Sequence, residues 1–148
     1  MRYAHYLRDD ISAFDAPFFS ITPNEAIFMD PQQRGLLETV YHAFENGEFK
    51  QYHRMILKKD ISAATSVYIG CFTREYDGVM CRDPEVDLKY IATGTGTALL
   101  SNRLSWFYDL RGPSLTLDSA CSSSLNAVHL ACQGLKTGET NMVCHLLS

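Results

Sequence analysis

The stretch from Ser114 to Leu135 constrains this chain most. Ser114-Leu115-Thr116-Leu117-Asp118 reads as a β-strand, Ser119-Ala120-Cys121-Ser122 as a tight turn of small residues, and a helical pattern begins directly behind it. Strands alternating with helices in this way point to a layered α/β fold with a central sheet. The turn also sets a thiol at the N-terminus of a helix, where unpaired N–H groups and the positive end of the helix dipole favour thiolate over thiol. The small neighbours Ser119, Ala120 and Ser122 let a substrate carbonyl approach the backbone closely. Cys121 is therefore the candidate nucleophile.

Behind the turn, Leu125, Val128, Cys132 and Leu135 recur at helical spacing, and Gly138 supplies a stop. The spacing predicts a helix that buries this stripe, with Cys121 at its buried end. Earlier in the chain, Thr22-Pro23-Asn24-Glu25 and Asp30-Pro31-Gln32-Gln33 each combine a cap, a proline at the first helical position and a capping-box residue. The second opens a longer helix through Leu36, Leu37, Val40, Tyr41 and Phe44 that stops at Gly47. Glu48 to Ala64 has no pattern and reads as a long surface connection. Ser66 to Phe72 reads as a buried strand, the region around Asp77-Gly78 and Asp83-Pro84 as a polar loop, and Thr97, Leu100, Leu104 and Phe107 as a helix ended by Gly112-Pro113.

Charge excludes two classes of partner. The net charge is -4, and no basic cluster exists beyond Arg54, Lys58 and Lys59, so neither nucleic acid nor an anionic membrane surface finds an electrostatic footprint. No apolar run approaches the roughly 20 residues of a membrane span, and Met1 to Tyr6 has no apolar leader, which predicts a soluble, cytoplasmic chain. Five cysteines, Cys71, Cys81, Cys121, Cys132 and Cys144, are an odd number without metal-type spacing. Cys121 and Cys132, about 16 Å apart if they share a helix, cannot bridge. Cys132 and Cys144 are expected to be small buried apolar residues. His129 lies about 12 Å along the helix from Cys121, beyond the reach of a general base. His5, His42, His53 and His145 are expected to be solvated or packed.

Asp118-Ser119-Ala120-Cys121-Ser122-Ser123-Ser124-Leu125 resembles the active-site signature of β-ketoacyl synthases, and its surroundings resemble the ketosynthase domain of polyketide synthases. Further segments agree in the family's order: Phe14-Asp15-Ala16-Pro17-Phe18-Phe19, Met29 to Arg34, Ala92 to Gly96 with Ser101-Asn102-Arg103-Leu104-Ser105, and Arg111-Gly112-Pro113-Ser114. The wording from Leu104 to Ser114 is most similar to fungal, highly reducing polyketide synthases.

The resemblance implies a thiolase-like layered fold, of which residues 1–148 supply only an incomplete first half. It implies that Cys121 accepts an acyl group from a phosphopantetheine thioester delivered by an acyl carrier protein, with no cofactor bound directly. Malonyl thioester is then decarboxylated and attacks the acyl-cysteine. The Cys121 N–H would be one donor of the oxyanion hole. Ser122 and Ser123 are expected to satisfy the first turn's N–H groups. The family's two catalytic histidines lie in downstream segments that this sequence does not contain. Thr93-Gly94-Thr95-Gly96-Thr97 mimics one of them with threonine in place of histidine, and it is assigned no catalytic role.

Three departures predict an incomplete copy that does not condense alone: the family's apolar strand before Phe14, which Met1 cuts away although Tyr6 to Ser12 still resembles the approach; the long Glu48 to Ala64 connection; and Val143 to Ser148, where the family continues to a strand ending in paired glycines. The family's homodimer makes Pro113 to Asp118 the candidate dimer edge. With partners missing, the faces along Leu36 to Phe44 and Leu125 to Leu135 are expected to be partly exposed, favouring aggregation or loose packing. A non-catalytic remnant, or a fragment that binds another synthase, remains the alternative. A cysteine protease or α/β-hydrolase relative fits the strand-turn-helix logic but lacks a paired histidine.

Overall fold

The computed structural model describes residues 10–47, 64–82 and 88–147. The expected connection from Glu48 falls almost wholly outside them, as do His5, His53 and Asp83-Pro84.

Both proline-led segments are helical. Helix α1 spans Pro23–Phe28, and the Thr22 hydroxyl accepts the Glu25 N–H at 3.2 Å. Helix α2 spans Pro31–Asn46, and the Asp30 carboxylate accepts the Gln32 N–H at 2.8 Å. Burial holds the Asp30 carboxyl above its usual range, against the opposing pull of that N–H and of Arg34. The capping boxes are not closed as the sequence suggests. Glu25 and Gln33 turn away from their own caps towards Arg103, across the fold.

Helix α2 buries Leu36, Leu37, Val40 and Phe44, with Tyr41 only partly covered. Each such apolar side chain contributes about 1.5–3 kcal/mol by leaving water. The expected partial exposure of this face is thus not seen. Phe14, Phe18 and Phe19 form an aromatic group against it, with Phe14 and Phe19 stacked at 5.2 Å and Phe18 edge-on to Tyr41 at 5.0 Å.

Strand β1, Thr65–Gly70, is the centre of a parallel sheet and is buried along its whole length. Val67 and Ile69 point into the α2 layer, while Tyr68 packs with Ala127 and Ala131 on the opposite face. Burial on both faces explains why β1 reads as a continuous β-branched and aromatic run. Helix α3, Glu75–Met80, replaces the expected polar loop, with acidic residues in its first turn and the Tyr76 hydroxyl donating to the Ile27 carbonyl at 2.9 Å. A short 3-10 turn over Leu88–Tyr90 leads into α4, Ile91–Thr95, and then α5, Ala98–Phe107.

Helix α5 buries Leu100, Leu104 and Phe107 as its spacing predicts. It ends at Tyr108, before Gly112-Pro113, because the chain reverses through Asp109 in a left-handed conformation with φ of 53°. The Tyr108 hydroxyl donates to the Leu37 carbonyl at 2.9 Å, and burial raises its pKa well above the usual phenol range. Strand β2, Ser114–Leu117, helix α6, Ser123–Thr137, and strand β3, Met142–Leu147, complete the sheet in the order β2-β1-β3. Val143 to Leu147 thus pairs with Ser66 to Gly70 in parallel register.

Helix α6 corrects the sequence reading. Leu125 and Leu135 are 70% and 47% exposed, Val128 is 39% exposed, and Cys132 is exposed. The buried face consists of Ser123, Ala127, Ala131 and Gly134, small side chains that let the helix sit close to Tyr68 on the sheet. Gly138 ends the helix in the left-handed conformation at φ 75°, as a C-terminal glycine should.

Candidate active site

Strand β2 delivers its last residues to the carboxyl end of the sheet, where parallel α/β proteins gather ligands. The Cys71 N–H donates to the Leu117 carbonyl at 3.0 Å, extending the β1–β2 pairing to the edge of the turn. Strand β2 is held from the side by α5. Ser114 donates to Asn102 at 2.8 Å, Ser105 lies 3.1 Å from Ser114, and Thr116 lies 3.1 Å from Ser101. The polar positions of Ser101 to Ser105 therefore grip the strand that leads to Cys121.

The turn itself is over-determined. The Asp118 carboxylate accepts the Ala120 N–H at 3.1 Å, and Ala120 takes a left-handed φ of 53°. For a residue with a Cβ this costs about 1–2 kcal/mol, which surrounding bonds must offset. The Ser123 hydroxyl accepts the Ser119 N–H at 2.8 Å and donates to the Ala120 carbonyl at 2.7 Å. Ser122 donates to the Ser119 carbonyl at 2.8 Å, and Asn126 donates to the Ser119 hydroxyl at 2.6 Å. The sequence reading has Ser122 and Ser123 satisfying the N–H groups of the first turn of α6. They do not: Ser122, the N-cap, makes no side-chain cap bond, and both hydroxyls face back into the turn.

Cys121 is exposed at the crest of this turn, not at a buried end. Its N–H has no carbonyl partner among the described residues. Close packing beneath fixes the height of the crest: a Cβ on Gly70 would lie 2.7 Å from the Ser124 nitrogen and 2.8 Å from the Ser123 carbonyl carbon. Only glycine lets the start of α6 rest on the end of β1. A glycine closing a buried strand is the sequence signal for such an approach.

All five cysteines carry free thiols. Cys71 is buried, donating towards Gln32 at 3.3 Å. Cys132 is exposed, against expectation, because the helix buries its small-residue face instead. Cys144 is half-buried in β3, and burial pushes its thiol up to about 12. His129 is exposed on α6, and His42 lies on α2, 4.0 Å from Glu45. His145 is packed, its Nε2 3.1 Å from the Ser124 carbonyl, against the first turn of the nucleophile helix.

A second polar centre lies away from the turn. Arg103, 8% exposed, donates to Gln33 at 2.9 Å, to Glu25 at 2.8 Å and to the Thr93 carbonyl at 3.2 Å. Gln33 completes the centre by donating to the Gly94 carbonyl at 2.7 Å. These bonds join α1, α2, α4 and α5. Thr93 and Gly94 serve there through their carbonyls, a structural role for the segment that mimics a histidine motif. Among the described residues, no group of three His, Cys, Asp or Glu side chains could hold a metal, and no helix is long and apolar enough to cross a membrane.

A parallel sheet that presents a residue at its carboxyl edge through a strained strand-turn-helix elbow defines a class of layered α/β proteins. Within it, residues 2–144 match the family model for the β-ketoacyl synthase N-terminal domain. The chain is 53% identical over 141 residues to the highly reducing polyketide synthase Preu1 of Preussia isomera, covering 95% of this chain and 6% of that protein. It is 49% identical over 140 residues to the polyketide synthase component of lovastatin nonaketide synthase from Aspergillus terreus, covering 95% of this chain and 4% of the other. The ketosynthase from module 6 of the bacillaene synthase of Bacillus subtilis superposes with a TM-score of 0.75 at 35% identity, over 93% of this chain and 21% of that one.

The chain belongs to the β-ketoacyl synthase family, and its fold is thiolase-like and partial. The resemblance to highly reducing polyketide synthases of fungi, read from Leu104 to Ser114, holds over the whole match.

Proposed function

We propose that Cys121 is the acyl-accepting nucleophile of a ketosynthase acting in polyketide or fatty acid assembly. The observation that carries this reading is the exposed Cys121 on a braced turn, whose N–H meets no carbonyl among the described residues. The sulfur attacks the carbonyl carbon of a phosphopantetheine thioester, a new C–S bond forms, and the oxygen takes negative charge facing the Cys121 N–H. Collapse expels the phosphopantetheine thiolate, which takes up the proton that Cys121 gave. Acyl carrier protein delivers the thioester, no cofactor is bound directly, and the cytoplasm is the expected site of action.

Decarboxylative condensation with malonyl thioester is assigned in this family to two histidines in segments this sequence does not contain. Alone, residues 1–148, as part of a ketosynthase N-terminal domain, are proposed to stop at the acyl-cysteine. The place of β2 at the edge of the sheet, among the described residues, supports a homodimer contact over Pro113 to Asp118, and fast hydrogen exchange throughout that segment in the assembled protein would count against it.

Incubation with acetyl-N-acetylcysteamine, followed by intact mass, tests the nucleophile. A single acetyl gain that disappears in Cys121→Ala is expected. A gain that survives the substitution rules Cys121 out. The open stripe of Leu125, Val128 and Leu135 favours a second reading, a non-catalytic fragment that binds another synthase. Failure to fold alone, with rescue by a complete ketosynthase, would support it.

A further inference from the structure

We infer that Ser123 is the positioning residue for the oxyanion donor at Cys121, an inference that rests on Cys121 being the acylated thiol. Ser123 is 1% exposed, so its side chain lies beneath the surface on which Cys121 is presented. Its hydroxyl spans the left-handed residue of the turn, taking the Ser119 N–H on one side and giving its proton to the Ala120 carbonyl on the other. The Ser123 N–H reaches the same carbonyl at 3.0 Å.

The Ala120 carbonyl and the Cys121 N–H belong to one planar trans peptide and point in opposite directions. Tying the carbonyl down onto the first turn of α6 therefore turns the N–H away from the helix, and no other carbonyl among the described residues captures it. An N–H fixed in advance of the reaction stabilises developing charge more than one that must reorient. Ser122 provides the contrast. Its hydroxyl touches only Ser119 and leaves the Ala120–Cys121 peptide untouched.

Two reactions of the same sulfur separate this role from simple scaffolding. Acyl transfer from acetyl-N-acetylcysteamine passes through an oxyanion, whereas alkylation by iodoacetamide does not. Both are measured on the full chain and mapped to the Cys121 peptide, since Cys81 and Cys132 are also exposed. Ser123→Ala is expected to slow acyl transfer at least tenfold while alkylation of Cys121 changes less than twofold. Ser122→Ala is expected to change neither by more than about threefold; removing a whole oxyanion donor costs about 10²–10³.

Ser123→Thr and Ser123→Val match in shape and differ in the hydroxyl, so they decide the question even if alanine unfolds the chain. Threonine is expected to transfer acyl at least tenfold faster than valine, with equal alkylation. Acyl transfer and alkylation falling together, or acyl transfer unchanged without the hydroxyl, overturns the positioning role. A parent chain that alkylates at Cys121 but never acylates there overturns the nucleophile reading, and this inference with it.

Discussion

Gly70→Ala offers a perturbation whose sign is set by competing terms. Alanine in a strand is normally favoured over glycine by about 0.5–1 kcal/mol, because glycine loses more freedom on folding. Here the new Cβ would meet three backbone atoms of α6, the Ser124 nitrogen at 2.7 Å, the Ser123 carbonyl carbon at 2.8 Å and the Ser124 Cα at 2.9 Å. None is a flexible side-chain end, so the start of the helix must move by about half an ångström or more. Overpacking of this kind costs about 1–3 kcal/mol, and the net expectation is a loss of about 1–2 kcal/mol. Urea unfolding measures it. Gly35→Ala is the control, since a Cβ at that position in α2 meets nothing within 4 Å and is expected to stabilise by up to about 1 kcal/mol. Acyl transfer at Cys121 should fall with Gly70→Ala and not with Gly35→Ala. An unfolding free energy for Gly70→Ala equal to or above that of the parent would refute the close approach of α6 to β1.

Arg103→Ala should destabilise by about 3 kcal/mol in the same assay, because Gln33, Glu25 and the Thr93 carbonyl lose their shared donor; a change under about 0.5 kcal/mol would remove the centre from the account. Leu125→Gln should change unfolding by less than about 0.5 kcal/mol, since the side chain is 70% exposed, whereas a buried leucine would cost several times more. At pH 8, iodoacetamide should modify Cys81, Cys121 and Cys132 before Cys71 and Cys144. For Cys144 the sign is set by burial: with its pKa raised from 9.0 to about 12, the neutral thiol is favoured in the fold, so its contribution to stability is present below pH 9 and lost as pH rises towards 12. Labelling of Cys144 as fast as Cys132, read by peptide mass, would contradict its burial.

Local signals were legible where one helix or strand carries them alone. Asp30, Pro31 and the Leu36 to Phe44 stripe mark α2 because cap, first-turn proline and buried face all lie within it. Helix α6 misleads because apolar spacing usually marks the buried face, yet here the sheet demands close approach and takes Ala127, Ala131 and Gly134 instead. Small residues at helical spacing were the available signal. Glu25 and Gln33 look like capping-box residues, but their partner Arg103 comes from another helix, and nothing local reveals a bond between residues 70 or 78 positions apart. At the turn, Cys121 was legible from residue types and family resemblance. The direction of the Ser123 hydroxyl was not, because it depends on the left-handed Ala120.

Single-turnover transfer from an acyl-loaded carrier protein asks whether Cys121 is the acyl acceptor. The chain is mixed with one equivalent of carrier bearing an acyl-phosphopantetheine arm, and both proteins are followed by mass with peptide mapping. The carrier is expected to lose its acyl group as the Cys121 peptide gains it, one for one. Acyl groups that stay on the carrier, or that appear on another residue, would contradict it.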